Sequence, residues 1–271
     1  MSAFEAIVMG IVQGLTEFLP VSSSGHLRIV PAFLGWEDPG AAFTAVVQLG
    51  TMLAVLVYFR KDLWNVTKAL LAGVTSSSAR RAPEFKLGLY IIVGTIPISI
   101  LGLLFSHQIE TTARSLYVIG TTLIVLGLVL LIAERVGKRQ RDIDKLTTKD
   151  AVLFGLAQSL ALIPGVSRSG ATITAGLFLG FDRAAAARYS FLLSVPAVVL
   201  SGLYQLKDIS EGGGAGVGAT VIATVLAFIV GWISIAALLK FLVNHSTSIF
   251  VGYRVALGVL VIVLAATGTI S

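Results

Sequence analysis

Six stretches of this chain are apolar over nearly enough residues to cross a bilayer: roughly 41–59, 87–105, 116–134, 185–204, 217–240 and 249–270. A hydrocarbon core about 30 Å thick needs about 20 helical residues at roughly 1.5 Å rise each. Two further apolar regions, 3–34 and 151–180, are broken in the middle by Pro, Gly and Ser. Leu19 and Ile163 each precede a proline, which pushes them out of helical geometry and ends a helix there. A serine followed by renewed apolar periodicity starts the next helix. Each broken region is therefore predicted to be a helix–turn–helix that enters the membrane and leaves by the same face. Irregular backbone survives at that depth only where it is packed in protein or lines a polar cavity.

The pattern divides the chain in two. Each half is one broken pair followed by three spans, and an odd number of spans inverts the second half relative to the first. The expected fold is an all-α polytopic membrane protein with an inverted-topology repeat, six transmembrane helices and two re-entrant pairs. It forms a single integral-membrane domain over 1–271, with pseudo-repeats 1–134 and 150–271 joined by a linker, 135–149.

Composition agrees with the pattern. The chain of 271 residues is 56% hydrophobic and 13% charged, against about 25% charged in ordinary soluble domains. Its mean hydropathy is +0.92. The net charge of +6 would suit nucleic acid, but the charges sit in loops between apolar runs, and no nucleic-acid partner is expected. Two of those loops, 60–86 and 135–149, hold six Lys or Arg each of the 20 in the chain. Both are predicted to be cytoplasmic. The alternate connections, with Glu37 and Asp38, Glu110 and Arg114, and Lys207, Asp208 and Glu211, are poorer in base and face outward, as do both termini. The run 211–218 reads as a flexible outer loop. There is no cysteine, hence no thiolate metal site. The N-terminus has no basic segment, so a cleaved signal peptide is not expected.

The broken regions also resemble each other in sequence. GIVQGLTEFLPVSSSGH starts at Gly10 and GLAQSLALIPGVSRSGAT at Gly155. Gln13 matches Gln158, Ser22 matches Ser167, Ser24 matches Ser169 and Gly25 matches Gly170, all at the offset from Gly10 to Gly155. The copies differ at reactive positions: Glu17 stands opposite Leu162, Ser23 opposite Arg168, and His26 opposite Ala171. Serines before a helix are ordinary caps. Yet a helix N-terminus with glycine beside it also makes an anion cradle. Two such ends facing each other would make a doubled one, to which Arg168 adds a bidentate fork. A structural ion pair with Glu17 is the alternative for Arg168. Glu17 is an ionisable group within an apolar run, which marks a functional candidate, and Gln13 lies one turn before it on the same face. Ser23 could attack phosphorus with His26 as base, or His26 or a metal held on Glu17 could activate a water. Arg168 and the N–H groups would stabilise the phosphoryl oxygens. Such oxygen donors suit Mg²⁺ or Ca²⁺. His107 and His245 read as loop histidines.

At these residues the sequence resembles the bacterial undecaprenyl-diphosphate phosphatase family, the BacA/UppP type linked to bacitracin resistance. The family's first motif, Glu or Gln, three residues, then Glu, falls on Gln13 to Glu17 and continues through FLPVSSSGH to His26. Its second, PGxSRSxxT, falls on Pro164 to Thr172. The resemblance implies hydrolysis of undecaprenyl diphosphate to the monophosphate carrier used in peptidoglycan synthesis, with a divalent cation. It implies catalytic roles for Glu17, Ser23, His26 and Arg168. It implies substrate contacts at Gln13, Ser22, Ser24, Gly25, Gly165, Ser167, Ser169, Gly170 and Thr172. The partners expected are the prenyl diphosphate, membrane lipids and, as an option, a second copy in a homodimer. The expected location is the bacterial inner membrane, with the site reached from the outer face. The rival reading is a secondary transporter or flippase of a phosphorylated lipid, because inverted repeats with broken helices are common in transporters.

Overall fold

The computed structural model describes residues 1–105, 115–209 and 216–270, apart from the side chains at 41, 42 and 201–209. His107, Glu110, Arg114 and Glu211 lie outside the described residues, as does most of 211–218, and the side chains of Lys207 and Asp208 are not described. Eleven α-helices and no strands occur among the described residues. In chain order they are α1 (Ala3–Phe18), α2 (Ser23–Leu34), α3 (Gly40–Tyr58), α4 (Arg60–Thr75), α5 (Pro83–Leu104), α6 (Leu116–Val136), α7 (Thr148–Ser159), α8 (Arg168–Phe178), α9 (Arg183–Ile209), α10 (Val217–Asn244) and α11 (Ser248–Ala266). Five of them, α5, α6, α9, α10 and α11, are long and apolar enough to cross a membrane. A sixth crossing is added if Phe43–Tyr58 and Arg60–Thr75 count as one span bent by 76°. The chain is a multi-pass membrane protein.

Both breaks fall at the expected prolines. Leu19 closes α1 in an extended conformation. A short 3₁₀ turn, Leu160–Leu162, follows α7 before Ile163 does the same. Within each broken pair the two arms pack on each other, α1 on α2 and α7 on α8.

The basic stretch 60–86 is not a plain loop, because its first part is the helix α4. Asp62 lies in the first turn, where a carboxylate suits the helix dipole. Val66 and Gly73 are buried, and Leu70 and Val66 pack against Gly88 of α5. The periodicity of these residues, not the charge density, decides the local structure.

Long helices meet at small residues. A Cβ on Gly10 of α1 would lie 2.5 Å from the Ala223 carbonyl oxygen of α10. A Cβ on Gly155 of α7 would lie 2.4 Å from the Gly94 carbonyl oxygen of α5. Lipid tails are as apolar as the helices themselves, so close backbone approach of this kind supplies the packing energy. One end of the bundle is tied by ion pairs. Glu134 accepts from Arg139 at 2.8 Å, from Thr247 at 2.7 Å and from Arg183. Arg141 donates to Asp150 at 2.5 Å, and Arg188 to Asp62 at 2.6 Å.

Candidate active site

The two tips are built alike. Ser22 and Ser167 are N-caps at φ of 78° and 70°. That is the left-handed region, where a non-glycine residue is strained. In return each hydroxyl accepts from a glycine N–H three residues on: Gly25 to Ser22 at 3.3 Å and Gly170 to Ser167 at 3.0 Å. Each also meets a second serine, Ser22 with Ser24 at 3.3 Å and Ser167 with Ser169 at 3.1 Å. The tips touch. Ser169 donates to the Leu19 carbonyl at 3.0 Å. Gly165, at φ 88°, lies so close to α6 that a Cβ would stand 2.1 Å from Thr122 Oγ1. Two helix N-termini, α2 and α8, therefore converge with their uncapped N–H groups and positive dipole ends.

Glu17 is the hub between them. It is buried, at 8% exposure. Ser23 Oγ donates to its Oε2 at 2.5 Å and Gln13 Nε2 donates to the same oxygen at 3.0 Å. Arg168, from the other tip, donates to Oε1, and Gln48 of α3 reaches that oxygen at 3.5 Å. Glu17 thus joins Ser23 and Arg168, residues from two of the positions at which the copies differ. Arg168 is paired with Glu17, the arrangement held as its alternative at the sequence level. A small cleft lies beside this pair. Thr51 and Ser194 add hydroxyls to its wall, and Phe18, Met52, Val55, Val195 and Val198 make the rest apolar.

His26 is held elsewhere. Its Nδ1 lies 2.7 Å from the Ser22 carbonyl, which can only accept, so Nδ1 carries the proton. Its Nε2 then accepts from the Tyr253 hydroxyl at 2.6 Å, and the two rings are nearly parallel, with an interplanar angle of 9°. The Ser23 hydroxyl is directed to Glu17, not to His26. Thr172 is fully buried and bonds the Arg168 carbonyl at 2.7 Å and Ser190 at 2.5 Å. It fixes α8 against α9. Ser24, in contrast, is exposed at the first tip.

A family model described as "Bacitracin resistance protein BacA" matches residues 6–260. The chain belongs to the BacA family. Curated relatives share about half of its residues over nearly the whole length. An undecaprenyl-diphosphatase of Nocardioides sp. is 53% identical over 98% of both chains. One of Thermobifida fusca is 52% identical over 100% of this chain and 93% of its own. One of Chlorobaculum tepidum is 50% identical over 99% of both.

Within this BacA-family site the structure adds residues that the sequence reading missed. Gln48 and Thr51 lie one turn apart in α3, a polar notch in an apolar run, and Thr51 accepts from Gln13 at 3.3 Å. Tyr253 and Arg254 lie in α11. The arginine is an ionisable group in a membrane span, the signal that singled out Glu17.

For a divalent cation the site offers few donors. Among the described residues no cluster of three or more His, Asp or Glu exists. Gln13 Oε1, however, is buried without a hydrogen-bond partner beside Glu17. One carboxylate and one amide oxygen fit a hard cation that takes its remaining ligands from substrate phosphates and water.

Proposed function

We propose that this protein hydrolyses undecaprenyl diphosphate to undecaprenyl phosphate and inorganic phosphate, recycling a lipid carrier for peptidoglycan synthesis. The single observation behind this is the contact of a serine hydroxyl with a buried carboxylate, faced by an arginine from a second helix N-terminus. That is a nucleophile, its base and an anion clamp in one place. The names of the relatives supply the lipid. Simple transport needs no nucleophile, so hydrolysis is the better reading.

In this reading the terminal phosphate lies between the two N-termini, and Arg168 turns from Glu17 to its oxygens. Ser23 Oγ attacks the terminal phosphorus while Glu17 takes its proton. The bond from that phosphorus to the bridging oxygen breaks, and undecaprenyl phosphate leaves with the electron pair. Water then attacks the same phosphorus and gives its proton to His26 Nε2, which lets go of the Tyr253 hydroxyl to accept it; the bond to Ser23 Oγ breaks, Oγ takes back the proton held by Glu17, and inorganic phosphate leaves. The same cradle also accommodates direct attack on the phosphorus by a water held on Glu17. Glu17 and Gln13 would hold Mg²⁺ or Ca²⁺, which neutralises phosphate charge. The apolar cleft wall suits the first prenyl units.

The inverted repeat belongs to this proposal. It is supported by the like capping of the two tips and by the exchange of partners, α1 on α10 and α7 on α5. So does an inner-membrane location with the head group taken from the outer face, argued from the Lys and Arg of 60–86 and 135–149, which favour the cytoplasmic side. Purified protein should release phosphate from a prenyl diphosphate with Mg²⁺ or Ca²⁺ present; no release would end the hydrolase reading. The chain has no cysteine, so Ser24→Cys in intact cells should react with an impermeant maleimide. Labelling only after the membrane is opened would reverse the orientation.

A further inference from the structure

Arg254 lies in α11, far along the chain from either motif. It is fully buried at 0% exposure. Among the described residues it forms no ion pair. Its donors go instead to backbone carbonyls in three separate segments. Nη1 donates to Pro20 at 3.1 Å, in the first tip. Nη2 donates to Gly165 at 3.2 Å and Val166 at 3.0 Å, in the second. Nη2 and Nε reach Thr122 at 3.3 Å and Leu123 at 3.2 Å, in α6.

A lone guanidinium inside a membrane protein is costly, so its placement needs a return. The proline breaks release carbonyls from helical bonding, and inside a bilayer water is not at hand to satisfy them. A planar fork of five N–H groups answers several such carbonyls at once, in a fixed relative geometry. No other described side chain donates to backbone in both tips.

We propose that Arg254 is a positioning residue that sets the register of the two tips, and so the distance between Ser23 and Arg168. The proposal rests on the hydrolase reading above. Arg254 acts through Pro20, Gly165 and Val166, without touching the phosphate. Its neighbour Tyr253 holds His26 in the same way, so one turn of α11 orients both halves of the site. Lysine at 254 keeps the charge but loses the fork, and a small shift of one tip separates nucleophile from clamp.

The test uses two measurements on full-length protein in detergent. Arg254→Lys should lower kcat for phosphate release roughly a hundredfold, as a ~1 Å misplacement does, with KM nearly unchanged. Glu134→Gln, at the ion-paired end of the bundle, should lower thermal stability and leave the kcat of the folded protein as it was. Spin labels on Leu34→Cys and Phe178→Cys, both exposed ends of the returning arms, report the spacing between the arms. Their distance distribution should broaden or shift in Arg254→Lys. Wild-type kcat in folded Arg254→Lys, or an unchanged distribution, would overturn the proposal. Should that variant not fold, Gly170→Ala asks the same question, because its Cβ would stand 2.7 Å from Arg254 Nη1. The same shift is expected there, and an unchanged distribution would again overturn the proposal. The distance measurement needs no turnover, so failure of the hydrolase reading would show separately, as wild-type protein that releases no phosphate.

Discussion

Glu17 accepts from four side chains on four helices, Gln13 of α1, Ser23 of α2, Gln48 of α3 and Arg168 of α8, and two of them, Ser23 and Arg168, come from opposite tips. Its removal should therefore do more than remove a charge. Glu17→Gln takes away the proposed base and leaves the half-buried Arg168 without its charged partner. Phosphate release should fall on the order of 10²–10⁴-fold, the usual worth of a general base. Gln13→Ala removes one hydrogen bond to the same oxygen and should cost clearly less. Equal losses in steady-state phosphate release would show that Gln13 is as central as Glu17. Ser23→Ala should lose activity comparably to Glu17→Gln if the proposed mechanism holds, in which the serine that donates to Glu17 is the nucleophile and Glu17 its base. A rate within about tenfold of wild type, small against general-base effects, would assign the attack to water. These residues were legible in the sequence because the two copies differ at them. The pairing of Arg168 with Glu17 was open as an alternative, and the contact of Ser23 with Glu17 was not foreseen. His26 is the nearer in sequence to Ser23, yet the first turn of α2 directs its ring back to Ser22 and across to Tyr253, and Glu17 takes the serine.

At the scale of elements, the helices were legible because each obeys a local rule. Apolar length gives α5, α6, α9, α10 and α11, and a proline closes each broken pair. Helix α4 was not, because its charges look like a loop until the buried positions, Val66 and Gly73, are known. Helix α7 shows how an entry point is held. Thr147 and Asp150 form a capping box, and Arg141 pairs with the same carboxylate. Burial on its own would raise the Asp150 pKa, but the hydrogen bonds from Arg141 and Thr147 outweigh it and hold the carboxyl below the usual carboxylate range. A folded pKa lowered in this way adds stability that is present above the unfolded value and lost as pH falls through the folded one. The protein in detergent should therefore lose melting temperature as pH drops below about 4, the ordinary carboxylate value. Asp150→Asn should melt lower at pH 7 and lose less on acidification. Parallel melting curves for the two proteins across that range would remove Asp150 from the account.

The whole molecule is held by contacts between its halves, and these were the least legible in the sequence. A glycine in an apolar run says only that some backbone comes near. The structure names the partner: α10 for Gly10 and α5 for Gly155, each in the opposite half. These two glycines stand at equivalent places in the repeated motif, and each precedes its tip by a few turns. A methyl at either would press on a carbonyl oxygen of the neighbouring backbone, which cannot move aside as a flexible side chain does. Gly10→Val and Gly155→Val should therefore each lower the melting temperature, with a cost in the range of overpacked cores, about 1–3 kcal/mol. Each change also separates a broken pair from the span that braces it, so activity in the folded fraction should fall as well, because Glu17 rides on α1 and α7 leads into the tip that carries Arg168. Alanine at the same sites should give smaller effects of the same sign. If the two valine variants differed widely, one broken pair would be braced by something other than this close approach, and the equivalence of the halves would fail as an account of how the site is held.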